Sequence, residues 1–385
     1  MLLGKDGSRR VAKRLVLVPK NPQVDEIEKA FRGLRRQGKY LYSEMTRPDC
    51  NFEVALAFHY GGRLIGNREY EPVKQNILSY LATSNLQVLD PTCCGLGQAP
   101  SHRRTGSDDN TWNAILPLKI YLLSGDDEWL RRGLLNARGL LRYPNLSGDP
   151  AGDLQGRPHW GGMRAMGLAF AFALTGDADF KRAALDYLHT DYKGLILDGE
   201  GKPTKRPYTT SESSYFLLEN SLIARATDAL ECVRLFGDYL ISRQDASGII
   251  PGETRWGAAG DHVAPCLYAE LVYSSHVARL QVDAGAAVPN GFSAFRELSF
   301  RDSGQGACPE TRGAWRGAFD ALAWEWGGTN QLEGGPGSIY SGWTNAPIDL
   351  AIEFYLDGDS LLPPTLSREQ ERQIQAVWQK IKTEK

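Results

Sequence analysis

Two stretches of this chain repeat one another. Tyr121-Leu-Leu-Ser-Gly-Asp-Asp-Glu-Trp-Leu-Arg-Arg-Gly-Leu reappears as Phe172-Ala-Leu-Thr-Gly-Asp-Ala-Asp-Phe-Lys-Arg-Ala-Ala-Leu, and the glycines of the two Gly-Asp pairs, Gly125 and Gly176, are 51 positions apart. Each copy reads as an apolar helix stopped by a glycine, a short turn, and an amphipathic helix with an aromatic and paired bases in its first turns. That is a helical hairpin. A single hairpin cannot bury its own apolar face, so a repeat of this length with two helices per unit calls for stacked neighbours.

The register predicts first helices over 108–124 and 162–175 and second helices over 127–142 and 178–189. A compressed third pair runs from Ser214 to Arg243. Further helices are predicted at 27–37, 51–60, 71–84, 262–281, 314–326 and 345–356, where apolar residues recur at three- and four-residue steps. The expected fold is therefore all-α, an (α/α)6 toroid of about six hairpins. Strand signals at Arg14-Leu-Val-Leu-Val and Gly248-Ile-Ile-Pro are short and form no series, which excludes all-β and alternating βαβ architectures. The Gly- and Trp-containing connections 86–107, 144–161, 244–261 and 327–344 read as loops at one rim, where function tends to concentrate.

The chain has 385 residues, of which 42% are hydrophobic and 23% charged, enough to bury a large core. No linker, charge block or shift of composition divides it, so 1–385 is read as one domain with 1–20 as an extended N-terminal arm. A net charge of −2 with the two signs interspersed excludes the electrostatic footprint of a nucleic-acid or anionic-membrane partner. No apolar run approaches the roughly 18 residues needed to cross a bilayer, and the first twenty residues lack a signal-peptide core. The expected location is cytoplasmic, or secreted or periplasmic where a leader has been removed. Six cysteines, at 50, 93, 94, 232, 266 and 308, do not make a disulfide framework in so long a chain. With no phosphate loop, dinucleotide fingerprint, His-Glu-x-x-His or nucleophile elbow, neither an organic cofactor nor a metal is expected.

The segment Gly106-Ser-Asp-Asp-Asn-Thr-Trp-Asn-Ala-Ile-Leu, followed by Tyr121-Leu-Leu-Ser-Gly-Asp, resembles the Asp-Asp-x-x-Trp helix start and terminal Thr-Gly-Asp of six-hairpin glycosidases. It is most similar to the endo-α-1,6-mannanases of glycoside hydrolase family 76. The resemblance implies Asp108 and Asp109 as a catalytic pair, one nucleophile and one general acid/base. Where that family carries Tyr-Asn-Gln-Gly, this chain has Tyr208-Thr-Thr-Ser-Glu-Ser-Ser-Tyr. Physically, glycoside cleavage needs one protonated and one ionised carboxyl, roughly 5–5.5 Å apart for retention or roughly 6.5–9.5 Å for inversion. Neighbouring carboxylates help by raising one another's pKa. The competing reading makes Ser107 or Asp108 a helix N-cap and Asp109 a charge favoured at the positive helix end.

Other acids are candidates for one member of the pair: Glu253 in Ile250-Pro-Gly-Glu-Thr-Arg-Trp, Glu212 and Glu219, Glu325 and Glu333. Each also reads as a solvated or ion-paired carboxylate. His159 and Trp160 hold the same register positions on the next hairpin as Asp108 and Asp109, so the four should face one mouth. Imidazole and indole suit sugar hydroxyls and the apolar face of a pyranose, or equally a packed interior. Trp112, Trp256 and Trp343 are further stacking candidates, Tyr208 and Glu212 further polar ones, and Arg157 a partner for an acidic sugar. Cys93-Cys94 resembles the vicinal cysteines of zinc-dependent β-L-arabinofuranosidases, whose thiolate attacks the anomeric carbon; the bland reading is two incidental loop thiols.

The expected function is a glycoside hydrolase acting on an oligo- or polysaccharide. The alternatives are a uronic-acid lyase or unsaturated-uronide hydrolase, a sugar epimerase pairing His159 with His262 or His276, and a noncatalytic carbohydrate-binding or scaffold protein.

Overall fold

A computed structural model describes residues 2–3, 9–10, 15–17, 34–37, 40–43, 46–84, 86–87, 89, 107–143, 158–187, 252–253, 261–263, 319–320, 325–326, 339–340, 342–359 and 365–384. The helices among them are α1 Pro48–Ile65, α2 Tyr70–Thr83, α3 Ser107–Ser124, α4 Asp127–Arg142, α5 Pro158–Thr175, α6 Ala178–Tyr187, α7 Gly342–Asp357 and α8 Arg368–Thr383. Three hairpins, α1–α2, α3–α4 and α5–α6, stand side by side, and their first helices form an inner row in which α1 touches α3 and α3 touches α5. On the other side of α1 packs α7, so the row reads α7, α1, α3, α5. None of the described helices is long and apolar enough to cross a membrane.

The inner helices end alike. Gly66, Gly125, Gly176 and Gly358 follow α1, α3, α5 and α7 with φ of 68°, 73°, 66° and 71°, the left-handed region that glycine enters without cost. The second and third hairpins match atom for atom. Gly125 N–H donates to the Tyr121 carbonyl and Gly176 N–H to the Phe172 carbonyl, both at 2.7 Å. The Ser124 and Thr175 hydroxyls donate to Ile120 and Ala171 carbonyls and accept from the Asp126 and Asp177 N–H groups. Asp126 and Asp177 then cap the outer helix by accepting from Glu128 and Asp179 N–H at 3.0 and 2.9 Å. In the first hairpin Asn67 plays this part toward Glu69.

Small residues let the helices approach closely at two points. Gly133 of α4 sits against Leu118 and the Ala114 carbonyl of α3, and Gly167 of α5 lies against Thr111 and Leu140. Helix α3 is buried from Asp109 to Tyr121. Its Pro117 has no N–H, which frees the Asn113 carbonyl, and Gln87 Nε2 donates to that oxygen at 3.5 Å. Gln87 is itself held by Arg132 of α4 at 3.3 Å. The polar helix α8, with a Ser367–Gln370 capping box, buries only Ile374, Trp378 and Ile381 and straps the second hairpin to the third. Trp378 stacks on Phe180 and donates to Asp177, while Arg138 donates to the Ile381 carbonyl.

The short strands are β1 Leu2–Leu3, β2 Arg9–Arg10, β3 Leu15–Leu17, β4 Leu34–Gln37, β5 Tyr40–Ser43, β6 Gly252–Glu253, β7 Asp261–Val263, β8 Phe319–Asp320, β9 Glu325–Trp326 and β10 Ile339–Tyr340. They form a β1–β2 pair and two four-stranded sheets, β10-β3-β5-β4 and β6-β7-β8-β9. Helices predicted at 27–37, 262–281 and 314–326 are thereby corrected over 34–37, 262–263, 319–320 and 325–326. Antiparallel partners satisfy these backbones in spite of a three- and four-step apolar pattern. The predicted pair at Ser214–Arg243 lies outside the described residues.

On α7, Glu353 points at Gly61 of α1, where a Cβ would stand 2.7 Å from its Oε1. Burial, and then the negative charge of Asp349 one turn earlier, push the Glu353 carboxyl up to about 9. A raised folded-state pKa means that the folded protein binds more protons than the unfolded chain between the ordinary value of 4.5 and about 9, so stability falls as pH rises through that window. Glu353→Gln is therefore expected to raise the melting temperature at pH 8 and to leave it nearly unchanged at pH 4. Thermal melts of both proteins at the two pH values check this.

Candidate active site

The inner helices run parallel. Tyr60 and Gly61 of α1 meet Phe354 and Glu353 of α7, and Arg63, further along α1, meets Asp357, further along α7. Gln373 and Gln375 of α8 reach Asp127 and Thr175, which places the ends of α3 and α5 together. The glycine turns thus share one end and the starts of α1, α3, α5 and α7 share the other, the mouth.

At the mouth, Pro48 at the first position of α1 fixes an extended Arg47 as its N-cap residue. From there Arg47 reaches two carboxylates. Its Nε and Nη2 grip Asp49 at 3.1 and 2.6 Å, and Nη2 also ion-pairs with Asp109 on α3. The three side chains are 16%, 3% and 10% exposed, so this cluster is largely withdrawn from water and its charges act strongly on one another. One turn below Asp109, Asn113 is fully buried, and its side-chain oxygen and nitrogen have no hydrogen-bond partner among the described residues. Asn110 faces the other way and accepts from Asn136 of α4 at 3.2 Å.

Because α4 covers the Asn110–Ala114–Leu118 side of α3, helical periodicity puts positions 108, 112, 115 and 119 on the opposite stripe, toward the barrel axis. Position 108 heads that stripe at the mouth. Trp112, 8% exposed, lies a turn beneath it. At the foot, Lys119 donates to both Asp359 oxygens at 3.0 Å, and the Tyr60 hydroxyl donates to Asp359 Oδ2 at 2.5 Å. Burial lowers the Lys119 pKa, partly offset by Asp359, and burial together with the Asp359 bond raises that of Tyr60. This floor joins α1, α3 and the end of α7.

The sequence-predicted residues distribute unevenly over this frame. Asp109 is at the mouth, Asp108 beside it in register, and Trp112 is packed on α3. His159 and Trp160 occupy the first turn of α5, and Trp343 the start of α7, so all three positions are helical starts at the same end. Trp343 was expected in a loop and is corrected to helix; the first turn of α7 claims it. Glu253, also expected in a loop, lies in β6, paired with Asp261. Arg157, Tyr208, Glu212, Trp256, Cys93 and Cys94 lie outside the described residues. Sequence reasoning missed Arg47, Asp49, Asn113 and Lys119. The Arg-Pro-Asp run at 47–49 was the available signal, since a proline followed by an acid marks the first turn of a helix.

No protein-family model matches the sequence, and no curated protein sequence matches it. Solved structures do. An unsaturated glucuronyl hydrolase from Bacillus sp. GL1, described as responsible for the degradation of glycosaminoglycan, superposes with a TM-score of 0.55 at 12% identity, over 86% of this chain and 93% of that one. The α-1,6-mannanase of Salegentibacter sp. HEL1_6 superposes with a TM-score of 0.52 at 13% identity, over 86% of this chain and 95% of the other. That structure is an inactive variant with two adjacent aspartates changed to asparagine, in complex with α-1,6-mannotriose. A cellobiose 2-epimerase from Bacillus thermoamylovorans B4167 gives a TM-score of 0.57 at 9% identity, over 81% and 88% of the two chains. The chain has the six-hairpin (α/α) toroid fold of these proteins.

Proposed function

We propose that this protein is a glycoside hydrolase that cleaves an oligo- or polysaccharide at the mouth of its helical barrel, with Asp108 and Asp109 as the carboxyl pair. The observation that carries the reading is Asp109 itself: a buried carboxylate at the mouth end of an inner helix, ion-paired to Arg47, with a second aspartate adjacent to it. An adjacent aspartate pair is also what was changed in the inactive mannanase.

Beside a guanidinium, Asp109 enters the reaction as the ionised member, since an opposite charge favours the carboxylate. It faces the anomeric carbon directly or through one water. Asp108, on the stripe toward the axis, takes the acid part and protonates the departing glycosidic oxygen, so the leaving sugar departs neutral. Trp112 forms the apolar wall below, against which a sugar ring is held.

Digestion of α-1,6-mannan, and of a glycosaminoglycan-derived oligosaccharide with an unsaturated terminal uronide, tests the reading. New reducing ends on mannan without a change in double-bond absorbance are the expected result. Release that consumes the terminal double bond marks an unsaturated-uronide hydrolase, and appearance of one marks a lyase. An isomerised sugar with no new reducing end marks an epimerase and overturns hydrolysis.

A further inference from the structure

The guanidinium at the mouth is shared. It grips Asp49, its neighbour on α1, through two nitrogens, and one of these also serves Asp109 on α3. We propose that Arg47 is a positioning residue that holds Asp109 in its ionised form, with Asp49 as the competing carboxylate that limits how strongly it does so. This deepens the hydrolase reading and rests on it for the catalytic consequence alone.

Among the described residues, these titratable and charged groups lie at the same end of the elements packed around Asp109. From α1 come Arg47, Asp49 and, one turn further in, the buried Glu53. Asp108 precedes Asp109 on α3. Helix α4 packs on the far side of α3 and presents Asn136 there, with its Arg138 turned to the carbonyls of Ile381 and Glu384. The first turn of α5 carries His159 at the same end. Of the cations whose contacts the structure describes, Arg47 is the one that pairs with Asp109, and the nearest acids oppose it. Its geometry fits the role: Arg47 is fixed by Pro48 and by a two-point hold on Asp49, so its position does not depend on Asp109.

The two partners of this shared cation predict shifts of opposite sign. Removing Arg47 takes away the favourable charge, and Asp109 becomes harder to ionise. Removing the charge of Asp49 takes away a neighbouring repulsion and a competitor for the Arg47 guanidinium, so Asp109 becomes easier to ionise. A purely structural tie between α1 and α3 predicts no such antisymmetry, because losing either partner would loosen the same joint.

The experiment uses the full chain with 13C-labelled aspartate carboxyls, the Asp109 resonance being assigned by its absence in Asp109→Asn. Carboxyl titrations are recorded for the wild type, Arg47→Met, Arg47→Lys and Asp49→Asn, together with the pH dependence of kcat/KM on α-1,6-mannan. Arg47→Met is expected to move the Asp109 midpoint, and the acid limb of kcat/KM with it, upward by about one unit or more. Arg47→Lys should restore most of that shift, and Asp49→Asn should move both downward. An Asp109 midpoint unmoved in Arg47→Met, or moved the same way in Asp49→Asn, overturns the proposal. Should Arg47→Met fail to fold, Asp49→Asn decides it: an Asp109 midpoint that does not move downward in that variant overturns the proposal. Absence of any turnover by the wild type refutes the hydrolase reading, while the titration still judges the role of Arg47.

Discussion

Asp109→Asn is expected to cut turnover on mannan by on the order of a thousandfold or more, with little change in melting temperature or in binding of the sugar. The two halves of this expectation have separate causes. Asparagine is nearly isosteric, and its carbonyl oxygen can still accept from Arg47, whose two-point hold on Asp49 at 3.1 and 2.6 Å does not involve Asp109. The joint between α1 and α3 therefore survives. What disappears, on the proposed reading, is a negative charge set against the anomeric carbon, for which an amide cannot substitute. Initial rates, a thermal melt and a binding titration with mannotriose on the same preparation check all three parts. Unchanged turnover would remove Asp109 from the chemistry; lost turnover with a collapsed melt would make it structural.

Gly133→Ala is expected to destabilise the protein by about 1–3 kcal/mol through overpacking. Helix propensity argues the other way, since alanine is favoured over glycine by about 1 kcal/mol in a helix interior. Packing decides the sign. A Cβ on Gly133 would stand 2.5 Å from Leu118 Cγ and 2.8 Å from the Ala114 carbonyl oxygen. The leucine can turn aside, but the carbonyl belongs to the α3 backbone, so the α3–α4 pair must separate. Urea unfolding of the two proteins checks this, and a stabilised variant would show that the hairpin can part at no cost. Because the start of α3 carries Asp109, a separation would also be felt as weaker turnover.

These two residues mark how far the sequence could be read. Gly125 and Gly176 were legible because the residues around them repeat, and the helix predicted at 127–142 has the observed bounds. The equivalent turns at Gly66 and Gly358 escaped notice. Gly66 is followed by asparagine, and Gly358 precedes an Asp359 that serves the barrel floor instead of an outer helix. Helix α8 was missed because three buried residues in a polar stretch leave a thin apolar pattern, although Ser367-x-x-Gln370 announced its start. At the candidate site, a local motif suggests Asp108 and Asp109. Arg47 could not be read this way, because its ion pair with Asp109 joins two helices whose proximity exists only in the folded chain. The strand at Leu34–Gln37 failed for the same reason: its partner strand overrides what the local pattern suggests.

The glycine turns carry one more consequence. At that end each hairpin closes within two to four residues, Gly125–Asp126 and Gly176–Asp177 at the short extreme and Gly66–Glu69 at the long one. At the mouth, successive hairpins are joined by the much longer segments 84–106 and 143–157. The two ends of the barrel are thus under different constraints. Tight hydrogen-bonded closures cannot lengthen without unseating a helix, whereas a connection of fifteen residues or more is not bound by the same closure. Such a scaffold can trade one sugar chemistry for another by rewriting only its upper edge, and over time its relatives would keep their outline while their sequences drift beyond mutual recognition.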